Sequence, residues 1–434
     1  MILIVCMLIC ALSYVGAFDE TQSSWQDGPG EEDPVTSWST YFLSSENMNW
    51  NNSESSIYLD YAENCPEHII DASAGAPYSV VSINMDSDTD TDLLVAAWSN
   101  DIVAWYRNEG NGESWTLIEI AARFDGANCA RACDVNNDGF MDVIASAYYA
   151  DSLYWFESDS SEYLWIPHPI ARIESPGEIE PVMVGNSVHL LVCESSTGIL
   201  HNFISSTEGD SVTWEHLQIP GEYPGISSIA LDDIDADGDL DIVLAEYNNA
   251  RIVYLECLSW FDAFEEHVID SLINHPACIM IGNIDGDVYE SPDIAASSYD
   301  DDAVYWYENS ELGLCWNKHT VTDDLWGASG VCICDISSDE DDWLNIVAAG
   351  QNDSEVRWYE YSGANEWSEY LIGELDGASA LCAAEIDDVS GLEIVGAAGV
   401  GEAIKYWSPG FLSGEGELIS TILDAQVEQQ WSNI

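Results

Sequence analysis

The sequence predicts an all-β fold, a seven-bladed β-propeller built from four-stranded repeats of about fifty residues. Three observations predict it. An acidic loop followed by an aliphatic run recurs along the chain. Aromatic residues recur behind that loop at fixed distances. Helical periodicity is absent, and turn residues punctuate short strand-like runs instead.

The loop and the run behind it read NMDSDTDTDLLVAAWSNDIVAWY from Asn84, DVNNDGFMDVIASAYYADSLYWF from Asp134 and DIDADGDLDIVLAEYNNARIVYL from Asp233. The last acidic loop position falls at Asp92, Asp142, Asp241, Asp293, Asn345 and Glu393, and a degenerate copy puts His189 there. The successive spacings are 50, 47, 52, 52, 52 and 48 residues. Thirteen residues after each anchor stand Trp105, Trp155, Asn202, Tyr254, Trp306, Trp358 and Tyr406. A second series follows at Trp115, Trp165, Trp214, Phe264, Trp316 and Trp367. A third precedes the next unit at Gly75, Gly126, Gly177, Gly225, His275, Gly327 and Gly377. Three series with one period define seven units over residues 64–410.

Each unit reads as four strands. Strand a precedes the acidic loop, as over residues 79–83, and strand b follows it, as over 142–147. Strand c carries the first aromatic, as over 153–156, and strand d the second, as over 165–170. The aromatics are then mostly packing between blades, and closure of the ring protects the sheet edges. Closure needs a strand from the other end of the chain. EHIID at residues 67–71 matches EHVID at 266–270 and is expected to complete the last blade; residues 418–424 are the competing candidate. Residues 18–63 read as a polar linker or cap, and 411–434 as the start of a truncated further domain or a tail.

Composition narrows the function. Asp and Glu number 80 against 8 Lys and Arg, for a net charge of −72. Nucleic-acid binding through phosphate neutralisation needs clustered cations and is excluded, and docking on anionic lipid is disfavoured. Adaptation to a saline medium is one reading of such acidity, since salt screens the repulsion among dense carboxylates. Residues 2–17 are almost wholly apolar, with Val15 and Ala17 at the small-residue positions of a cleavage site. A signal peptide over 1–17 is therefore expected, although no Lys or Arg precedes the apolar run. The mature protein would be secreted or held at the cell surface, with no membrane insertion. Ten cysteines follow residue 17, without a zinc spacing. Buried free thiols are favoured over disulfides, and Cys332 and Cys334 are expected to face opposite ways.

The acidic loops carry the chemistry. Oxygen donors at alternating positions with a turn-forming Gly suit Ca²⁺, which takes six to eight oxygens. The donors are Asn84, Asp86, Asp88 and Asp92; Asp134, Asn136, Asp138 and Asp142; and Asp233, Asp235, Asp237 and Asp241. A looser fourth set is Asn283, Asp285, Asp287 and Asp293, where the last residue comes two positions late. In the third unit Pro181, Met183, Gly185 and His189 occupy these positions and cannot bind. The count expected is about three to five calcium ions. These are not EF-hands, because the position for the twelfth-residue Glu holds Ala145 and Leu244. The four sets use 13 of the 80 acids, so calcium does not account for the acidity.

These loops resemble those of the FG-GAP and VCBS repeat families, and the ring resembles the propeller of integrin α-subunits. The resemblance covers about four fifths of the chain. It implies that the loop joins strands a and b and holds calcium on one face at the residues just named. The FG-GAP tetrapeptide itself is missing, which makes the VCBS type the nearer match. The families imply adhesion or ligand binding, and also occur as passive modules beside enzymes.

Catalytic motifs are not apparent. His68, His168, His216, His267 and His319 recur at one strand-d position and are read as structural. Six residues after the anchors stand Trp98, Tyr148, Tyr247 and Tyr299, at the b–c turns opposite the acidic loops. Aromatic platforms there suit sugar rings or protein contacts, and packing on the next blade is the equal alternative. The expectation is a non-catalytic adhesion or ligand-binding module for a glycan or an extracellular protein, with structural calcium. A propeller-based polysaccharide lyase or hydrolase and a passive spacer are the alternatives.

Overall fold

The computed structural model describes residues 65–408, less 87, 160–163, 210, 260, 262, 287–290, 337–342, 364 and 388–390, together with the backbone of four short strands outside that span. Seven four-stranded antiparallel sheets follow one another, each in the order a–b–c–d. No helix occurs among the described residues. The expected all-β seven-bladed ring is present.

Burial explains the sequence pattern. Every residue of Asp92–Ala97, Asp142–Ala147, Asp241–Glu246, Asp293–Ser298, Asn345–Gly350 and Glu393–Ala398 is buried. These b strands lie between two neighbouring blades, so both faces are covered and the run is continuously apolar. The outer d strands, such as Phe264–Asp270, mix exposed and partly buried residues because one edge meets water. Leu94, Val103 and Trp105 of the first blade pack on Ala130, Val143 and Ala145 of the second. Trp306 of the fifth packs with Ile346 and Tyr359 of the sixth. Trp105, Trp306, Trp358 and Trp407 are each fully buried, and such burial is worth about 1.5–3 kcal/mol for a large apolar side chain.

The strand-d histidines stack on the strand-c aromatics. Ring centroids are 4.5 Å apart for His68 and Tyr406, 4.4 Å for His168 and Trp155, and 4.6 Å for His319 and Trp306. The outer nitrogen meets a strand-c carboxylate, at 2.8 Å from His168 to Glu157 and 2.7 Å from His267 to Glu256. Their recurrence is therefore a structural device. The glycine series marks left-handed backbone at the d–a turns, with φ of 72° at Gly126 and 67° at Gly327.

The ring closes with the N-terminal strand. Glu67–Asp71 pairs antiparallel with Ile404–Trp407, placing Glu67 opposite Trp407 and His68 opposite Tyr406. Lys405 Nζ reaches Glu67 Oε2 at 3.0 Å across this seam. The competing segment, Leu418–Ser420, pairs instead with Phe42–Ser45. A second pair joins Met48–Asn51 to Ser56–Leu59. Both pairs belong to a unit formed by residues 1–63 and 410–434, separate from 64–409. The expected signal peptide lies outside the described residues.

The third blade departs from the pattern. Pro176–Val184 turns directly into Ser187–Glu194 through Gly185 and Asn186, so no acidic loop exists there. Its left-handed turn residue is Ser175, with φ of 50°, rather than Gly177. Its stacked pair is Phe203 and His216 at 4.5 Å, one residue beyond Asn202.

The inner strands carry a polar belt. Arg131 of the second blade pairs with Glu178 at 2.9 Å and Glu180 at 3.0 Å in the third, and donates to Ser79 Oγ of the first at 3.2 Å. Glu178 in turn accepts the Ile229 amide of the fourth blade at 2.9 Å. All ten cysteines of residues 65–408 are free thiols. The expected opposite orientation of Cys332 and Cys334 is corrected: the two thiols interact, since residues two apart on a strand share a face.

Candidate metal loops and binding face

The loops from Asp134 and Asp233 adopt one conformation. In the second, Asp233 Oδ1 accepts the Asp237 amide at 3.0 Å and Oδ2 the Gly238 amide at 3.0 Å. Asp235 Oδ1 accepts Asp237 N–H at 3.1 Å, and Asp237 Oδ1 accepts Asp239 N–H at 3.0 Å. In the first, Asp134, Asn136 and Asp138 make the same set with the amides of Asp138, Gly139 and Phe140 at 2.9–3.0 Å. The backbone turns left-handed at the fourth position, Asn137 and Ala236, and at the sixth, Gly139 and Gly238. The sixth position is open, with no atom within 4 Å of where a Cβ would stand, so Gly is required there by backbone conformation rather than by space.

The Asn84 loop keeps part of this set. Asp86 Oδ1 accepts Asp88 N–H at 3.2 Å and Asp88 Oδ1 accepts Asp90 N–H at 2.8 Å. Asn84 Nδ2 donates to the Asp88 carbonyl at 2.6 Å. In the fourth set Asn283, Asp285 and Asp293 are described, and Asp287 lies outside the described residues.

One oxygen from each of Asp233, Asp235 and Asp237 falls within 4.8 Å of the others. Burial and the neighbouring Asp237 raise the Asp235 carboxyl above its ordinary range. Three hard oxygen donors so gathered fit Ca²⁺, and a divalent cation would offset the cost of holding them charged.

The anchor carboxylates have a second role that the spacing alone did not reveal. Asp142 Oδ2 accepts the Val135 amide at 3.1 Å, and Oδ1 accepts the Ser158 amide at 2.8 Å. Asp92 bridges Met85 and Asn108, Asp241 bridges Ile234 and Cys257, and Asp293 bridges Ile284 and Asn309 in the same way. Each buried carboxylate thus clamps the start of the acidic loop to the end of strand c. Burial pushes Asp92 up to about 6 and Asp142, Asp241 and Asp293 up to about 7. Glu393 makes the same bond to the Ile386 amide at 2.7 Å in the seventh unit. The persistence of an acid there, in a unit that has Val389 at the fifth loop position where Asp138 and Asp237 stand in others, was the available signal.

On the opposite face, the four predicted aromatics divide. Trp98 and Tyr148 join one cluster, with centroids 5.2 Å apart. Tyr78 and Tyr149 complete it, at 5.5 and 4.9 Å from Trp98. Tyr247 stands elsewhere, stacked on His275 at 4.2 Å, and Tyr299 donates to Asn352 Oδ1 at 3.3 Å. Neighbours missed from spacing alone are Tyr78, Tyr149 and Trp326, which are 47%, 62% and 62% exposed. Antiparallel order places the b–c turns and the d–a turns on this one face, so all of them share it.

Comparison with known proteins agrees with the geometry. Residues 84–145, which span the first two acidic loops, match the family model of the FG-GAP-like repeat. The chain is thus a seven-bladed propeller carrying an FG-GAP-like repeat, and the integrin-like propeller fits it. No curated protein matches the sequence. Among solved structures, it is similar in fold to BBS1N in complex with ARL6DN, from a crystal soaked with lead, with a TM-score of 0.54 and 11% identity over 81% of this chain and 98% of that one. The mercury-soaked crystal of the same complex gives a TM-score of 0.53 and 11% identity, over 81% and 97%.

Proposed function

We propose that this protein is an exported, calcium-stabilised propeller that performs no chemistry and holds a protein partner on the face of its b–c turns. The observation that carries the reading is the cluster of Tyr78, Trp98, Tyr148 and Tyr149, drawn from two blades onto one partly exposed surface. Aromatic anchors on a rigid scaffold are the usual core of a protein interface. A propeller of similar fold, BBS1N, occurs in a complex with ARL6DN, which favours a protein over a glycan. Calcium would be held by Asp233, Asp235 and Asp237, by the matching groups of the Asp134 and Asn84 loops, and by Asn283, Asp285 and Asp287, with the anchors Asp92, Asp142, Asp241 and Asp293 serving as the clamps behind them. When bound it supplies charge neutralisation to the loops and stability to the blades.

The test is to offer extracellular matrix proteins and a glycan array to the immobilised full chain, in calcium and then in EGTA, while assaying the fluid for released products. Retention of a protein, lost on Trp98→Ala and Tyr149→Ala, is the expected result. Released oligosaccharides would make the protein an enzyme. Retention of glycan alone would replace the partner class, and no retention at all would leave a passive spacer.

A further inference from the structure

A second part of the same face differs from the aromatic cluster in being acidic. Trp326 sits on the turn between the fifth and sixth blades and is 62% exposed. Its backbone is fixed at both ends: the amide donates to Asp353 Oδ2 at 2.9 Å, and the carbonyl accepts the Asn352 amide at 3.1 Å. Leu325 before it is fully buried, and Gly327 after it, with φ of 67°, closes against Asn352 and the Tyr299 ring. Asp323 and Asp324 precede Trp326 as exposed residues, and Asp300 is half exposed on the neighbouring turn. The cations of these blades are already engaged: Arg357 donates to the Asp324 carbonyl at 2.6 Å and pairs with Glu355 and Glu369, and Lys318 pairs with Asp270.

We propose that the Trp326 corner docks a basic segment of another protein, with an arginine or lysine side chain lying over the indole and its charge directed to Asp323 and Asp324. This rests on the reading of the b–c face as a protein-binding face. A guanidinium plane stacks on an aromatic ring while bonding carboxylates at its edge, so arginine suits the site best. Charge complementarity decides the source. None of the 8 Lys and Arg lies in residues 1–63 or 409–434, so neither of those segments supplies the cation. A second copy of the chain, at −72, is repelled.

The test is fluorescence anisotropy of a labelled peptide of alternating arginine and glycine with the full-length protein, at about 0.15 M NaCl to suppress diffuse attraction. A control peptide carries citrulline in place of arginine. The expected result is at least tenfold weaker binding to Trp326→Ala and to Asp323→Asn/Asp324→Asn, with Tyr149→Ala unchanged and the citrulline peptide at least tenfold weaker throughout. Trp326 is exposed, so its replacement leaves the melting temperature unchanged, which thermal unfolding verifies. Equal affinity for the wild type and Trp326→Ala means diffuse attraction to an acidic surface and overturns the inference. That result leaves the broader reading intact, because its own test scores Trp98→Ala and Tyr149→Ala against proteins.

Discussion

Arg131 of the second blade and Glu178 of the third form an ion pair of 2.9 Å, and the other oxygen of the same carboxylate holds the Ile229 amide of the fourth blade. Three blades are thus tied at the inner wall by one carboxylate. Burial pushes Glu178 up to about 7, with Arg131 opposing and Glu180 adding to the shift.

A pH dependence follows from that group. Its folded pKa lies above its unfolded value of about 4.3, so between the two the folded state binds more protons. Its contribution to stability is therefore full below the unfolded value and is lost as pH rises through about 7. Glu178→Gln removes this slope. Urea unfolding at pH 5 and pH 8 is expected to show the variant gaining about 2–3 kcal/mol relative to wild type on going to the higher pH.

The clamp and the metal loop separate by mutation. Asp241→Asn presents an amide to one of two backbone donors that the carboxylate satisfied, and is expected to cost about 2–3 kcal/mol. Thermal melts in EGTA read this loss without the metal. Asp237→Asn leaves the clamp whole, so its melt in EGTA should match wild type and differ only when calcium is present.

Calcium itself should raise the melting temperature of the wild type. At free calcium a hundredfold above its dissociation constant, each filled site adds about 2.7 kcal/mol. A melting temperature indifferent to calcium and EGTA would remove the metal from the loops.

Salt should stabilise a chain of net charge −72. Raising NaCl from 0.1 to 1 M shortens the screening length from about 10 to about 3 Å and weakens the repulsion among surface carboxylates. Melting temperatures across that range are expected to rise, and a fall would rule out saline adaptation as the reason for the acidity.

The ring was legible because its packing repeats. A b strand covered on both faces must be a continuous apolar run, and Trp155, Tyr254 and Trp306 must recur where blades meet. Glu67–Asp71 was recognisable because closure demands a fourth strand with the pattern of strand d. The clamp of Asp142 was hidden because a spacing reports which residue recurs, not which amides face it. Trp326 escaped notice because it lies beside the glycine series rather than in the aromatic one. Tyr78 meets Trp98 only once strands a and b of the first blade pair, and Tyr149 only once the second blade lies beside it.

The seam between Glu67–Asp71 and Ile404–Trp407 orders events in time. During synthesis the first of these strands emerges early and has no partner until the last blade leaves the ribosome. Six sheets must wait as an open arc, with the edge blades uncovered on one flank and prone to pairing with another nascent chain. The ring therefore cannot shut before Ile404–Trp407 is free to pair, and until then the arc stands exposed.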